Sequence, residues 1–122
     1  MVLDIASVKA PILDAVAAAG ADLTRYVGTH PMAGREKSGP VAARGELFTS
    51  MPWVVCPGPA TGAAAVTAAK NLAVDLGATL TVMEPAEHDE TVALISHLPQ
   101  VMSSLLASRL QETPLHQLSL AG

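Results

Sequence analysis

Tyr26-Val27-Gly28-Thr29-His30-Pro31-Met32-Ala33-Gly34-Arg35-Glu36-Lys37-Ser38-Gly39 passes from an apolar run into a glycine-punctuated, charged loop, with a histidine at the changeover. Tyr26-Val27 reads as the end of a short buried strand covering roughly Arg25 to Thr29. Pro31 crowds the residue before it and disfavours helix at His30. The imidazole is thereby held at a strand exit, on a segment that cannot coil away.

The flanking sequence supplies the rest of an alternating fold. Upstream, Val2-Leu3-Asp4-Ile5-Ala6 reads as a strand, and Ser7 stands where an N-cap belongs before a helix whose Val8, Ile12, Leu13 and Val16 keep helical spacing; Gly20 ends it. Downstream, the loop from His30 to Gly45 has room for one helical turn near Val41-Ala42-Ala43, and Trp53-Val54-Val55 forms a third strand between Pro52 and Pro57. From Ala63 to Leu76, the positions Val66, Ala69, Leu72, Ala73 and Leu76 make one apolar stripe, with Gly77 as the stop. Thr79-Leu80-Thr81-Val82 is a fourth strand, and Pro85 with Glu87 opens a helix through His88, Val92 and Ile95. Pro99 should kink or divide that helix, because its ring removes a donor and meets the carbonyl of Ile95. Strands alternating with helices of this length predict right-handed crossovers and a mainly parallel sheet, an α/β architecture. The last helices, with an apolar face reaching about Leu110, break the rhythm and read as the start of a helical region.

Composition narrows the function classes. The 122 residues suffice for one compact domain, and with half of them apolar and 15% charged the chain is globular rather than disordered. Three aromatics against abundant alanine predict helices that pack closely through small side chains. A net charge of -4 without a Lys/Arg cluster argues against nucleic acid as a partner. The single cysteine, Cys56, excludes an intramolecular disulfide and a cysteine-rich metal site, which fits a reducing cytoplasm. Asp4 and Lys9 interrupt any export signal. Lys70, Asn71 and Asp75 break the most apolar stretch well short of the ~18 residues of a membrane span.

Several polar residues could carry chemistry. His30 can exchange a proton near neutral pH, or it can simply be hydrogen-bonded into its loop. Ser7, at the carboxyl end of the first strand, can orient such a histidine or cap a helix, and one hydroxyl can do both. Ser96-His97 stands before the Pro99 kink, where freed carbonyls admit a ligand or call for capping. His88-Asp89, in the first turn of its helix, reads from spacing as a solvated polar face. His30, His88, His97 and His116 lack metal-ligand spacing, so no metal site is expected. Gly34, Gly39 and Gly45 do not form a dinucleotide fingerprint.

In this order, the pieces resemble the prephenate dehydrogenase family of the 6-phosphogluconate-dehydrogenase-like superfamily, from about Val2 to Leu110. The likeness rests on Asp4-Ile5-Ala6-Ser7-Val8-Lys9, on Gly28-Thr29-His30-Pro31-Met32-Ala33-Gly34 with Glu36 and Ser38-Gly39, on Leu47-Phe48 before Trp53-Val54-Val55, and on Glu87-His88-Asp89 followed by Ser96-His97-Leu98-Pro99. The resemblance implies NAD(P)-dependent oxidative decarboxylation of prephenate to 4-hydroxyphenylpyruvate, a step of tyrosine biosynthesis. It implies His30 as the group that helps withdraw the proton of the substrate hydroxyl, with Ser7 orienting it. Ser7 and Lys9 would lie on the cofactor side, and Glu36, Ser96, His97 and Gln100 on the substrate side. Gln100 stands where the family usually has a second histidine; it can donate a hydrogen bond but cannot carry charge.

By the same resemblance, residues 1–83 correspond to the C-terminal half of a Rossmann-like nucleotide-binding domain, and residues 84–122 to the first helices of an all-α dimerisation domain and a tail. The family's Gly-x-Gly-x-x-Gly turn does not precede Val2, and its downstream substrate-binding arginine is missing. The expectation is a central fragment of such an enzyme, inactive alone for want of a cofactor seat, cytoplasmic and paired as a homodimer through its C-terminal helices when complete. NAD or NADP, and prephenate or arogenate, stay open. The competing expectation is a non-catalytic interaction module from a truncated gene.

Overall fold

Period-two alternation gives the central sheet two unlike faces. The structure, a computed structural model, describes residues 1–33 and 45–111. Four strands, β1 (Val2–Asp4), β2 (Tyr26–Pro31), β3 (Pro52–Cys56) and β4 (Thr79–Val82), form one sheet in the order β1-β2-β3-β4. β1 pairs parallel with β2 and β3 parallel with β4, each pair joined through a helix, α1 (Ala10–Ala18) and α2 (Ala63–Asp75). β2 and β3 run antiparallel, with Gly28 opposite Cys56 and His30 opposite Val54. The sheet is thus mainly parallel, as the alternation of elements implied, with one reversal in its middle.

On one face, Val27, Trp53 and Val55 meet Ala65, Ala69 and Ala73 of α2 to form the apolar core, with Leu3, Phe48, Ala78 and Leu80 packed at its margin. Burying Val27 and Val55 completely is worth about 1.5–3 kcal/mol each. The stripe of α2 differs from the one expected. Ala69 and Ala73 are buried as predicted, but the third buried position is Ala65, while Leu72 and Leu76 are exposed. Methyl side chains four residues apart let the helix lie close on the sheet, and larger leucines would hold it off. Gly77, at φ +77°, ends the helix in a conformation that few other residues adopt, and its N–H reaches the Val74 carbonyl at 2.9 Å.

The helix after β1 starts later than expected. Ser7 is not its N-cap: the helix opens at Ala10, with Pro11 in its first turn and no local side chain capping it. β2 in turn extends two residues beyond Thr29, so His30 and Pro31 belong to the strand rather than to the following loop. The proposed helical turn at Val41-Ala42-Ala43 lies outside the described residues.

The chain divides into two compact units, Met1–Asp89 and Glu90–Gly122. After α3 (Pro85–Val92), a π-helical turn (Ala93–His97) precedes α4 (Leu98–Gln111). The wide turn comes just before Pro99, the residue expected to divide the helix; with no N–H, Pro99 cannot bond the Ile95 carbonyl. Along the second unit, Leu94, Ile95, Leu98, Val101, Met102, Leu105, Leu106 and Leu110 are exposed. No helix among the described residues is long and apolar enough to cross a membrane.

Candidate functional site

The opposite face of the sheet buries Val54 and Cys56 and, beside them, a set of polar groups. Tyr26, Gly28 and His30 alternate with the core residues of β2, and a β-carbon on Gly28 would meet Lys9 Cδ at 3.3 Å, Asp4 Oδ2 at 3.5 Å and the Tyr26 hydroxyl at 3.5 Å. Glycine leaves room here for a buried cation. Lys9 is 1% exposed; its Nζ is paired with the Asp4 carboxylate and donates to the Thr29 carbonyl at 2.6 Å. Asp4 also accepts from the Ala6 N–H at 2.9 Å and from the Tyr26 hydroxyl at 2.5 Å, while the Thr29 hydroxyl donates to the Asp4 carbonyl at 2.6 Å. Burial, and then the bond to Asp4, push the Tyr26 hydroxyl far above the ordinary phenol range. The network ties β1, β2 and the start of α1 together. A buried charge is tolerated because it is paired and hydrogen-bonded.

A second polar cluster stands at the carboxyl end of β2. His30 Nδ1 lies 2.8 Å from Nε2 of His88, and the two rings meet edge to face at 70° with centroids 5.0 Å apart. His88 Nδ1 lies 2.8 Å from Asp89 Oδ1. The same carboxylate accepts the Lys9 N–H at 2.8 Å and the Ala10 N–H at 2.9 Å, so Asp89 caps α1 from about 80 residues away in sequence. Burial raises the Asp89 carboxyl, but the bonds from Ala10, His88 and Lys9 outweigh it and hold the group below its usual value. His88 is fully buried, which overturns the solvated polar face read from its spacing.

Of the residues singled out by sequence, His30 is half-buried at the end of β2, and Ser7 is exposed just beyond β1, the neighbouring parallel strand. Lys9 turns its ammonium inward, onto Asp4 and Thr29. Ser96 and His97 fall in the π-helical turn and Gln100 in α4, with Ser96 and Gln100 exposed, all in the second unit. Glu36 lies outside the described residues. His88 and Asp89 were not among the predicted site residues; the adjacent His-Asp pair just past the carboxyl end of β4 was the available signal.

Among the described residues no group of three or more His, Cys, Asp or Glu is placed to hold a metal ion. A cavity of about 470 Å³ opens between α1, the Pro57-Gly58-Pro59 turn and the start of α3, and shares only Ala10 with the histidine cluster. Asp14 and Glu84 on its wall make it a poor seat for a diphosphate. The ends of β1 and β2 are a better match to a nucleotide cofactor, because in α/β sheets ligands sit beyond the carboxyl ends of parallel strands. Ser7 follows β1 in the chain, and His30 lies near the end of β2.

Fold and site together define an α/β domain of the nucleotide-binding type with a pair of touching histidines near the carboxyl end of β2. Residues 1–82 match the family description "Prephenate dehydrogenase, nucleotide-binding domain", and residues 84–121 match "Prephenate dehydrogenase, dimerization domain". The chain belongs to the prephenate dehydrogenase family. It is 41% identical over 120 residues to a probable prephenate dehydrogenase, NovF, of Streptomyces niveus, covering 98% of this chain and 33% of that protein. The crystal structure of Aquifex aeolicus prephenate dehydrogenase in complex with hydroxyphenyl propionate and NAD+ superposes with a TM-score of 0.83 at 31% identity, over 93% of this chain and 40% of that one. Synechocystis arogenate dehydrogenase gives a TM-score of 0.79 at 32% identity, over 99% of this chain and 43% of that one. The chain therefore spans about a third of the length of the curated relatives it matches.

Proposed function

We propose that this chain contributes the proton-handling part of an NAD(P)-dependent dehydrogenase that converts prephenate to 4-hydroxyphenylpyruvate with loss of CO2. The observation that carries the reading is the placement of His30: an imidazole at a strand's carboxyl end, backed by a fully buried histidine and a carboxylate. When bound, the nicotinamide supplies the hydride acceptor. His30 accepts the proton of the ring hydroxyl as the carbonyl forms, a general-base role. By the family resemblance Ser7, which follows β1, orients His30 and would belong to the cofactor side, while Lys9, its ammonium bound to Asp4 and the Thr29 carbonyl, ties β1 and β2 together. The family resemblance assigns Glu36, Ser96, His97 and Gln100 to substrate binding.

In this reading residues 1–83 form the second half of the nucleotide-binding domain, and residues 84–122 begin the helical dimerisation domain. The exposed leucines and valine of α4 support pairing with a second copy of the chain. The 122 residues contain no Gly-x-Gly-x-x-Gly turn, so on their own they lack the backbone cradle for the cofactor's pyrophosphate. Without it the orientation that hydride transfer needs is lost, and the isolated chain is inactive. Purified chain mixed with prephenate and either NAD or NADP should give no reduced cofactor; turnover at an ordinary enzymatic rate refutes the inactivity. Adding polypeptides that carry the glycine-turn half of the domain and the rest of the helical domain with its arginine should restore turnover, and His30→Asn should then lower it by about 10²–10⁴-fold. Activity of His30→Asn close to that of the parent removes His30 from the chemistry.

A further inference from the structure

The carboxylate of Asp89 can only accept hydrogen bonds. It already takes the N–H groups of Lys9 and Ala10, and it lies 2.8 Å from His88 Nδ1, so the hydrogen of that contact sits on His88 Nδ1. A neutral His88 then carries its lone pair on Nε2. The 2.8 Å contact from His88 Nε2 to His30 Nδ1 is a hydrogen bond only if His30 Nδ1 bears a hydrogen. His88 is fully buried, so water does not compete for either ring nitrogen.

From this chain of contacts we infer that His88 and Asp89 are positioning residues which fix His30 in its Nδ1–H form, making Nε2 the atom that takes the substrate's proton. The inference deepens the dehydrogenase reading and rests on it for the identity of the proton donor; the assignment of the tautomer does not. A neutral imidazole in water favours the Nε2–H form, which would point a hydrogen, not a lone pair, at a hydroxyl. Asp89 reverses that preference through His88. When Nε2 takes up a proton, the O–H bond of the substrate breaks and an N–H bond forms. The Nδ1–H bond to His88, now from a charged donor, becomes stronger at the same moment. Because Asp89 is held by two backbone N–H groups of α1, the orienting carboxylate is itself fixed to the scaffold rather than carried on a mobile side chain.

Nitrogen-15 imidazole spectra of the full chain, recorded at alkaline pH where neutral rings dominate, read the tautomers directly and need neither cofactor nor turnover. Both His30 and His88 should show the Nδ1–H pattern. His88→Phe removes the acceptor and should convert His30 to Nε2–H. His88→Gln, whose side-chain oxygen can accept from His30 while its amide donates to Asp89, should restore the Nδ1–H form. Wild-type His30 in the Nε2–H form overturns the inference, as does a His88→Phe variant that folds and keeps Nδ1–H. If His88→Phe does not fold, His88→Gln decides: loss of the Nδ1–H form there also overturns it. Failure of the dehydrogenase reading would appear instead as absence of prephenate-dependent cofactor reduction in the complemented chain, with the tautomers unchanged.

Discussion

The two faces of one sheet are held by opposite means. Beneath α2, the sheet is joined by shape: Ala65, Ala69 and Ala73 rest on Val27, Trp53 and Val55. Across the other face it is joined by directed bonds, from Lys9 to Asp4 and Thr29 and from Asp89 to the start of α1. Close packing tolerates changes that keep volume and apolarity, whereas a buried charge tolerates almost none, because removing one partner leaves the other unsolvated. The face that is costly to alter is also the one that carries the histidine cluster.

Replacing Lys9 tests that contrast most severely. Lys9→Met leaves Asp4 without its cation and should cost about 3–5 kcal/mol in urea unfolding, while pairing it with Asp4→Asn should recover much of the loss. On the apolar face, Ala73→Leu adds bulk where the helix lies against the sheet and should cost about 1–3 kcal/mol by the same measurement. Gly28→Ala, whose new carbon meets Lys9 Cδ at 3.3 Å, should cost about 1 kcal/mol, and less in a Lys9→Met background, where that neighbour is gone.

Smaller effects sharpen the same contrast. The Trp53 indole N–H is buried with no hydrogen-bond partner among the described residues. Trp53→Phe gives up packing but also removes that unsatisfied donor, so stability should change by less than about 1 kcal/mol. Burial pushes the Cys56 thiol up from 9.0 to about 12. Between those values the native state keeps a proton that the unfolded chain releases, so this contribution is complete below pH 9 and is lost as pH rises towards 12. Cys56→Ala should flatten the alkaline limb of a stability-against-pH curve and leave the neutral region almost unchanged.

The apolar face was legible in the sequence because its causes are local. Val27 and the Trp53-Val54-Val55 run marked strands, and Gly77 marked the end of α2. Only the rotation of α2 was misjudged, since leucine outranks alanine on any hydropathy scale but alanine fits the narrow gap. His30 was also legible, through its proline and its place at a strand exit. What stayed hidden depends on residues distant in sequence. Ser7 looked like the cap of α1, yet Asp89 supplies it, and no periodicity links a helix start to a carboxylate 79 residues on. His88 fell on a helix turn whose neighbours are charged, and its burial follows from the sheet face it covers rather than from its own segment.

The long-range cap has a consequence for the order in which the chain is made. During synthesis β1, α1 and β2 emerge well before Asp89, so the first helix has its sequence but not the group that finishes its amino end. Closing so long a loop is entropically costly, and contacts of this separation form late. The candidate proton-transfer site is therefore the last part of the first unit to assemble, and a nascent chain stopped before α3 would carry His30 without the His88–Asp89 pair behind it.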